Sequence, residues 1–310
     1  MTIGLIADIG GTNARFALVD ENGNWRAEKV LTCGDFPGPV EAARAYLARE
    51  GGSAPKRGIF AVAAPVSGDE VTLTNHTWRF SIKSTGEALG FEKFETINDF
   101  AAVALSLPYL KKDDLVAIGG GEAIKGAPIA VLGPGTGLGV AGLVNDQPLP
   151  GEGGHVTLAA TNSQEHAVIE ALRQEFEHVS AERVLSGPGI VNLYRAICRL
   201  KGVEAEKLEP AEIVERGLAG NCSICHETLE LFCAFLGIVA GNHALTLGAR
   251  GGLFIAGGII PKMLDFFLKS DFIRRFEDKG RFRPYLAAIP RFVITHPYPA
   301  FLGLAHRVIA

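Results

Sequence analysis

The sequence predicts an α/β fold made of two related halves. Apolar, β-branched runs alternate with segments of helical periodicity, which is the pattern of α/β proteins. Two glycine-rich segments, residues 7–20 and 132–145, also match each other at an offset of 125 residues, with Gly10 aligned to Gly135. Because each segment has a strand, a glycine–threonine hairpin and a returning strand, we predict that the fold is duplicated.

The rest of the chain follows the same alternation. The apolar stretch Leu231–Gly241 is shorter than the roughly 20 residues that cross a bilayer, so we expect a buried core helix there. Prolines and charges interrupt the apolar pattern near residues 104–112, where we expect a boundary between the halves. The other predicted elements are a helix at 39–50, two strands within 57–75, a strand at 94–97 that passes into a helix, a strand within 251–258, and a helix at 299–310.

Composition and charge exclude several classes of function. The 310 residues are 47% hydrophobic and 21% charged, as in soluble proteins with a large core. A formal net charge of -4 provides no basic surface for nucleic acid or an anionic membrane. Five cysteines, an odd number, indicate reduced thiols, and residues 1–20 lack the pattern of a signal peptide. We therefore expect a cytoplasmic protein with no nucleic-acid or membrane partner.

Both hairpins have the composition of phosphate-binding loops. Glycines allow backbone amides to approach phosphate oxygens closely, and several such amides form an anion-binding nest. Thr12 and Thr136 add hydroxyl donors, and Arg15 is a candidate for added positive charge. Either hairpin, considered alone, is explained equally well as a tight β-turn. The occurrence of two such hairpins favours phosphate binding.

Two common phosphate-binding motifs do not account for these loops. The chain contains no GxxxxGK[ST] sequence, which excludes a P-loop. A GxGxxG pattern occurs at Gly137, Gly139 and Gly142, but the residues after it predict a strand. Because the dinucleotide-binding motif requires a helix at that place, we do not assign it here.

Carboxylates stand next to the first loop and after a later strand. Asp8 precedes the first hairpin, where it either hydrogen-bonds the turn or binds Mg²⁺, directly or through water, beside a polyphosphate. Asn98 and Asp99 follow the strand at 94–97, and such a pair is often simply a helix N-cap. The pair also lies at the carboxyl end of a strand, where α/β sheets bind ligands, so Asp99 is a candidate base for a substrate hydroxyl.

Polar residues in the second half are suited to a polyhydroxylated ligand. Glu152 and His155 flank two glycines that permit close approach, and a carboxylate and an imidazole both hydrogen-bond hydroxyl groups. Glu182 lies near the start of a possible helix, where a structural role and a binding role are both open. Gly257 and Gly258 end a predicted strand, and they either pack against backbone or present a flat face to a nucleobase.

A CxxCH sequence runs from Cys222 to His226. It matches the attachment pattern of c-type haem, but that chemistry requires an exported chain. Zinc requires more clustered ligands than Cys222, Cys225 and His226 provide. Because the segment begins an apolar helix, we interpret these cysteines as surface thiols.

Together these segments resemble the bacterial glucokinases of the actin–sugar kinase–heat-shock ATPase superfamily. The resemblance covers nearly the whole chain and includes "DIGGTNAR", "INDF", "LGPGTGLGVA", "GEGGH", "AERVLSGPG", "FIAGGI" and "FEDKGRF". It implies a two-domain actin-like ATPase (ribonuclease H-like) fold, with duplicated α/β domains of mixed sheet and helices around a central cleft. The small domain would comprise 1–105 plus 298–310, and the large domain 106–297. It also implies transfer of the ATP γ-phosphoryl group to the 6-hydroxyl of glucose, usually in a homodimer.

The resemblance implies a role for individual residues. Asp99 is implied as the catalytic base, and Mg²⁺ as an ion bound indirectly through Asp8. The chain lacks the cysteine-rich zinc motif of the related repressor-type sugar kinases, which favours the glucokinase branch. The implied sugar ligands are Asn98, Asp99, Glu152, His155 and Glu182. The implied ATP contacts are Ala7, Asp8, Ile9, Gly10, Gly11, Thr12 and Asn13 in the first loop, Gly133, Gly135, Thr136 and Gly137 in the second, and Gly257 and Gly258 at the adenosine.

Three other functions fit parts of this pattern. A kinase for another hexose, such as mannose or glucosamine, has the same sequence features. A non-catalytic sugar sensor on the same fold has no need of the acid at Asp99. An actin-like or chaperone-like ATPase has no need of the sugar-binding set of Glu152, His155 and Glu182.

Overall fold

Strands and helices alternate along the chain, as the sequence predicts. The computed structural model describes residues 2–51, 54–74 and 76–310. The strands are β1 (Thr2–Ile9), β2 (Asn13–Asp20), β3 (Trp25–Thr32), β4 (Arg57–Val62), β5 (Glu70–Thr72), β6 (Arg79–Ser81), β7 (Lys93–Asn98), β8 (Leu115–Ala117), β9 (Ile129–Pro134), β10 (Leu138–Val144), β11 (Gln147–Gly151), β12 (Gly252–Ile255) and β13 (Arg291–Ile294). The helices are α1 (Pro39–Glu50), α2 (Ile82–Leu89), α3 (Asp99–Ser106), α4 (Ser163–Arg173), α5 (Gly187–Leu200), α6 (Pro210–Ala219), α7 (Ser223–Leu247), α8 (Leu264–Lys269), α9 (Phe272–Glu277), α10 (Arg283–Ala287) and α11 (Pro299–Ile309).

The two large sheets are mixed, and four strands follow the same order in each, β2-β1-β4-β7 in the first and β10-β9-β12-β13 in the second. The first sheet has the order β3-β2-β1-β4-β7 and the second β11-β10-β9-β12-β13-β8, while β5 and β6 form a separate pair. In each large sheet an antiparallel hairpin, β1–β2 or β9–β10, is followed by two parallel neighbours. These neighbours are β4 and β7 in the first sheet, and β12 and β13 in the second. The predicted duplication is therefore confirmed, and β8 is an additional antiparallel edge strand.

The parallel strands of the first sheet end level with one another, whereas in the second sheet β9 continues two residues past the partner of the last β12 residue. In the first sheet, Ile9 pairs with Val62, which in turn pairs with Asn98. In the second sheet, Leu132 of β9 pairs with Ile255 of β12. Because neighbouring strands lie about 4.8 Å apart, the first hairpin loop and the residues after Asn98 share one edge of the sheet, about 10 Å from each other.

Local signals fix most element ends. Helix α1 has the predicted bounds, with a proline at its first position and Gly51 after it at φ +64°. The helix expected near Glu182 begins later, at Gly187, because Ser186 is its N-cap. The strand expected to reach Gly257 and Gly258 ends at residue 255.

Helix α7 is longer than its apolar stretch, because polar residues at both ends continue the helix. It spans 25 residues and, within the described ranges, is the one helix whose length and mean hydropathy would permit a membrane span. However, 78% of its most apolar window is buried inside the protein, and Phe232 and Phe235 have no exposed surface. The prediction of a buried core helix is therefore confirmed.

The described residues divide into two compact units. One contains the residues up to Lys111, Asp146–Pro150 and His296–Ala310, and the other contains Lys112–Asn145 and Gly151–Thr295. Each unit has its own hydrophobic core, which in the first is built around the aromatic residues of β2, α1 and β4 and in the second around α7.

Candidate active site

In the loop between β1 and β2, two backbone amides have no acceptor among the residues that the structure describes. The Gly10 amide closes the turn by donating to the Asn13 carbonyl oxygen at 2.9 Å. The Cys33 amide donates to the Thr12 carbonyl oxygen at 2.8 Å and fixes the loop on β3. The amides of Gly11 and Thr12 donate to no acceptor among the described residues. Two consecutive free amides beside an exposed threonine hydroxyl are suitable donors for a phosphate group.

The loop between β9 and β10 repeats this arrangement. The Gly135 amide donates to the Gly137 carbonyl oxygen at 2.8 Å, and the Gly187 amide donates to the Gly135 carbonyl oxygen at 2.8 Å. Within the part of the chain that the structure describes, the amides of Thr136 and Gly137 have no acceptor. These positions correspond, at the offset of 125 residues, to the two free amides of the first loop. The duplication therefore extends to the positions of these two amides, although the bonds that close the two turns differ.

Asp8 lies in β1 directly opposite Arg15 of β2. Arg15 Nη1 donates to Asp8 Oδ2 at 3.4 Å. Burial nevertheless raises the pKa of Asp8, because the cost of desolvating the carboxylate exceeds the stabilisation by the Arg15 charge and hydrogen bond. The side chain keeps 25% exposure, so the carboxylate is accessible to a cation near the loop. Its neighbours Ala7 and Ile9 have no exposed surface, backbone included.

Asn98 and Asp99 stand where β7 passes into α3. Asn98 Oδ1 accepts from the amides of Phe100 and Ala101 at 2.9 and 3.2 Å, so the N-cap interpretation is confirmed for this oxygen. Asn98 Nδ2 donates to the Ala64 carbonyl oxygen at 3.3 Å, which uses one of its two N–H groups. Asp99 is the first residue of α3, where the helix dipole stabilises a carboxylate, and its Oδ1 accepts from the Phe100 amide at 2.8 Å.

The C-terminal helix α11 holds both elements that flank Asp99. Gly303 lies so close to α3 that an added Cβ would be 2.1 Å from the Ala102 carbonyl oxygen. Arg307 donates to both carboxylate oxygens of Glu95 in β7, each at 3.1 Å. The position of Asp99 in the first unit is therefore fixed by packing and by a bidentate ion pair.

Glu152 and His155 lie on a short 3₁₀ turn that packs against β10. His155 Nε2 is 3.8 Å from Glu152 Oε2, and both side chains are more than half exposed. An added Cβ at Gly154 would lie 2.2 Å from the Leu138 carbonyl oxygen, and one at Gly153 would lie 2.7 Å from a β10 side chain. The two glycines therefore allow the turn to pack closely against β10. The side chains of Glu152 and His155 stay accessible to a ligand.

Glu182 precedes α5 and joins this turn to the second loop. Its amide donates to the Gly154 carbonyl oxygen at 2.8 Å, while its Oε2 accepts from the Leu138 amide at 2.8 Å. Ser186 Oγ donates to the Glu182 carbonyl oxygen at 2.8 Å. The three polar residues predicted in the second half are thus gathered beside the second loop. Sequence reasoning missed the bond to Leu138, because no local pattern signals a contact across 44 residues.

The two glycines after β12 differ in what the fold requires of them. Gly257 has φ +84°, and an added Cβ would lie 2.3 Å from the Pro134 carbonyl oxygen. Gly133 is similarly constrained, since its Cβ would lie 2.6 Å from the backbone of Ala256. Gly258 has no described heavy atom within 4 Å of its Cβ position and no positive φ. Backbone packing therefore explains Gly257, whereas the open face at Gly258 is available to a ligand.

The CxxCH segment has a structural role at the start of α7. Cys222 Sγ accepts from the Cys225 amide at 3.3 Å and so caps the helix. Cys225 is fully buried, and burial raises the pKa of its thiol to about 12. The prediction of surface thiols is wrong for Cys225, because this position faces the core of the second unit. The described ranges contain no group of three or more His, Cys, Asp or Glu residues that could hold a metal ion.

Each sheet has a hairpin, β1–β2 or β9–β10, whose glycine–threonine loop contains two amides with no acceptor in the described part of the chain. This duplicated topology with paired loops is that of the actin-like ATPase fold, in the class of the sugar kinases. A family model described as Glucokinase matches residues 5–309. The glucokinase of Paramagnetospirillum magneticum is 54% identical over 307 residues, which cover 97% of this chain and 96% of that relative. The chain therefore belongs to the glucokinase family and is an enzyme, a transferase that phosphorylates sugar.

Solved structures share the fold over nearly the full length. A crystal structure of a glucokinase from an Antarctic psychrotroph has 41% sequence identity and a TM-score of 0.88, covering 98% of each chain. A ROK family glucokinase from Streptomyces griseus, solved in complex with glucose and AMPPNP, has 17% identity and a TM-score of 0.70, covering 99% of each chain. The latter likeness is one of fold alone.

Proposed function

We propose that this protein transfers the γ-phosphoryl group of ATP to the 6-hydroxyl of glucose, with Asp99 as the general base. One observation carries this assignment: Asp99 and the first glycine–threonine loop lie at the same edge of one sheet, with a single strand between β1 and β7. Phosphoryl transfer to a hydroxyl requires a proton acceptor close to a phosphate-binding loop. Membership in the glucokinase family supports glucose and ATP as the substrates.

The two loops bind phosphate oxygens of ATP in this proposal. Gly11 and Thr12 in the first loop, and Thr136 and Gly137 in the second, donate their free amides. The open face at Gly258 takes the adenosine. These contacts position the γ-phosphoryl group, and good alignment of reacting groups can be worth about 7–11 kcal/mol.

The sugar ligands are Asn98, Asp99, Glu152, His155 and Glu182. Carboxylates and imidazole accept from sugar hydroxyls, and Asn98 retains one N–H group for a hydroxyl oxygen. Asp99 takes the proton of the 6-hydroxyl while the hydroxyl oxygen attacks the γ-phosphorus. The new O–P bond forms as the bond from the γ-phosphorus to the β–γ bridging oxygen breaks and ADP leaves. General-base assistance of this kind contributes typically about 10²–10⁴-fold to the rate.

Mg²⁺ fits this site as an ion held mainly by phosphate oxygens and water. Asp8 would hold it, and the carboxylate is partly exposed and incompletely compensated by Arg15. No described cluster of protein ligands could hold the ion by itself, and Mg²⁺ in phosphate sites usually takes only one or two carboxylates. When bound, the ion would neutralise phosphate charge.

Three further expectations are part of the proposal. The chain has a small domain of 1–105 plus 298–310 and a large domain of 106–297, it forms a homodimer, and it resides in the cytoplasm. The five cysteines carry free thiols, which suits a reducing compartment. Sedimentation velocity of the purified protein tests the homodimer directly, since a monomeric mass would contradict it.

Release of ADP across a panel of hexoses tests the function. Purified protein with ATP and Mg²⁺ is assayed with glucose, mannose, glucosamine or no sugar. We expect ADP release that depends on glucose and is accompanied by glucose 6-phosphate. Release without sugar would indicate an ATPase, and a higher kcat/KM with mannose or glucosamine would indicate another hexose kinase. Sugar binding without any ADP would indicate a sensor.

A further inference from the structure

Glu182 connects two parts of the second unit that the proposed function assigns to different substrates, one through its backbone amide and the other through its side chain. Its amide is bonded to Gly154, in the turn that carries Glu152 and His155. Its carboxylate is bonded to the amide of Leu138, the first residue after the second phosphate loop. One residue is therefore attached both to the sugar-binding turn and to the phosphate-binding loop.

The contact between Glu182 and the loop leaves no room for a side chain. An added Cβ at Gly137 would lie 2.5 Å from Glu182 Oε2, whereas an added Cβ at Gly135 would have no neighbour within 4 Å. Neither glycine has a positive φ, so the backbone of both positions accepts other residues. Glycine at position 137 thus leaves space beside the loop, and the Glu182 carboxylate occupies that space.

We propose that Glu182 is a positioning residue for the second phosphate loop as well as a sugar ligand, and so couples sugar binding to nucleotide binding. This role rests on the proposed function, in which the same side chain binds glucose. A carboxylate that accepts from the Leu138 amide keeps its second oxygen for a sugar hydroxyl. Coupling between two binding sites is reciprocal. A change in the loop that displaces the Glu182 carboxylate should therefore alter sugar affinity, and loss of the Glu182 side chain should alter nucleotide affinity.

The nucleotide half of the coupling is tested without any sugar present. The Kd of AMPPNP with Mg²⁺ is measured by calorimetry for the wild type, Glu182→Ala and Glu152→Ala. We expect Glu182→Ala to weaken AMPPNP binding by about fivefold or more, the lower end of typical couplings. Glu152→Ala is the matched control, because Glu152 has no bond to the loop, and its Kd should stay within about twofold of the wild type. Equal AMPPNP affinity in all three proteins would overturn the positioning role.

The sugar half is tested without nucleotide. The Kd of glucose is measured for Gly137→Ala and for Gly135→Ala, with circular dichroism to verify folding. The Gly137→Ala methyl group displaces the end of a flexible side chain, so we expect a folded protein with glucose binding weakened about fivefold or more. Gly135→Ala should leave glucose binding unchanged. Wild-type glucose affinity in folded Gly137→Ala would refute the coupling. If the wild type binds AMPPNP but no hexose, the proposed function fails, and the AMPPNP comparison still decides the role of Glu182 at the loop.

Discussion

Substitution of Gly258 by alanine separates nucleotide binding from folding. The Cβ position of Gly258 is open, so the methyl group meets no atom of the described protein. We expect the free energy of unfolding to change by about 0.5 kcal/mol or less, as for a typical surface substitution, so Tm should stay close to that of the wild type. If the adenosine lies against this face, the added methyl group costs about 1–3 kcal/mol of binding, as overpacking does in protein cores. At 1.36 kcal/mol for each factor of ten, KM for ATP rises roughly 5- to 150-fold.

Gly257→Ala is the matched variant with the opposite expectation. It places a residue with a Cβ at φ +84°, which costs about 1–2 kcal/mol, and puts that Cβ 2.3 Å from the Pro134 carbonyl oxygen. Relief of such a contact costs about 1–3 kcal/mol more. Tm should fall by several degrees, at about 2–4 °C for each kcal/mol in a domain of 150–250 residues. Steady-state kinetics and scanning calorimetry distinguish the variants. A Gly258→Ala enzyme with unchanged KM for ATP would refute the adenosine assignment.

Two further substitutions test the electrostatics of each unit. Asp8→Asn should raise Tm of the ligand-free protein at pH 7, because burial raises the pKa of Asp8 above its ordinary 3.8 and ionisation therefore opposes folding. The Tm difference between Asp8→Asn and the wild type should shrink as pH falls through this raised pKa. At pH 7, kcat/KM for ATP should be lower in Asp8→Asn than in the wild type. Arg275→Ala should lower the free energy of unfolding in urea by about 3–5 kcal/mol, since it leaves the buried Glu165 carboxylate without its cation.

Each of these substitutions has a control on the same protein. Asp265→Asn changes an exposed carboxylate and should leave Tm unaltered. Arg274→Ala removes an exposed pair with Asp271 and should cost about 1 kcal/mol or less. A Tm gain for Asp8→Asn that is independent of pH would contradict the desolvation argument. Equal losses for the two arginine variants would contradict the role of the buried pair.

Local sequence signals predicted the fold and the two glycine–threonine hairpins well. The signals for these elements are local: glycines at the hairpins, β-branched residues in the flanking strands, and a proline at the start of α1. Because each signal depends only on residues close in sequence, the pattern alone locates these elements. The match between residues 7–20 and 132–145 also identified the duplication, which the strand order repeats. Asn98 was correctly interpreted as a possible N-cap for the same reason, since capping involves only the next three residues.

Contacts between distant residues were not predictable. The bond from Glu182 to Leu138 spans 44 residues, and the ion pair of Arg275 with Glu165 spans 110. Neighbouring glycines were also indistinguishable in sequence: Gly257 packs on another strand, whereas Gly258 faces open space. Burial of Cys225 depended on which side of α7 faces the core, a choice that a uniformly apolar helix does not encode.

The most direct measurement compares Asp99→Asn with the wild type for glucose Kd and for kcat. The amide keeps the shape of the side chain and an acceptor for the Phe100 amide, so glucose binding should stay within a few-fold of the wild type. Loss of the base should lower kcat by about 10²–10⁴-fold. An Asp99→Asn enzyme that turns over glucose at close to the wild-type kcat would contradict the assignment of Asp99 as the general base.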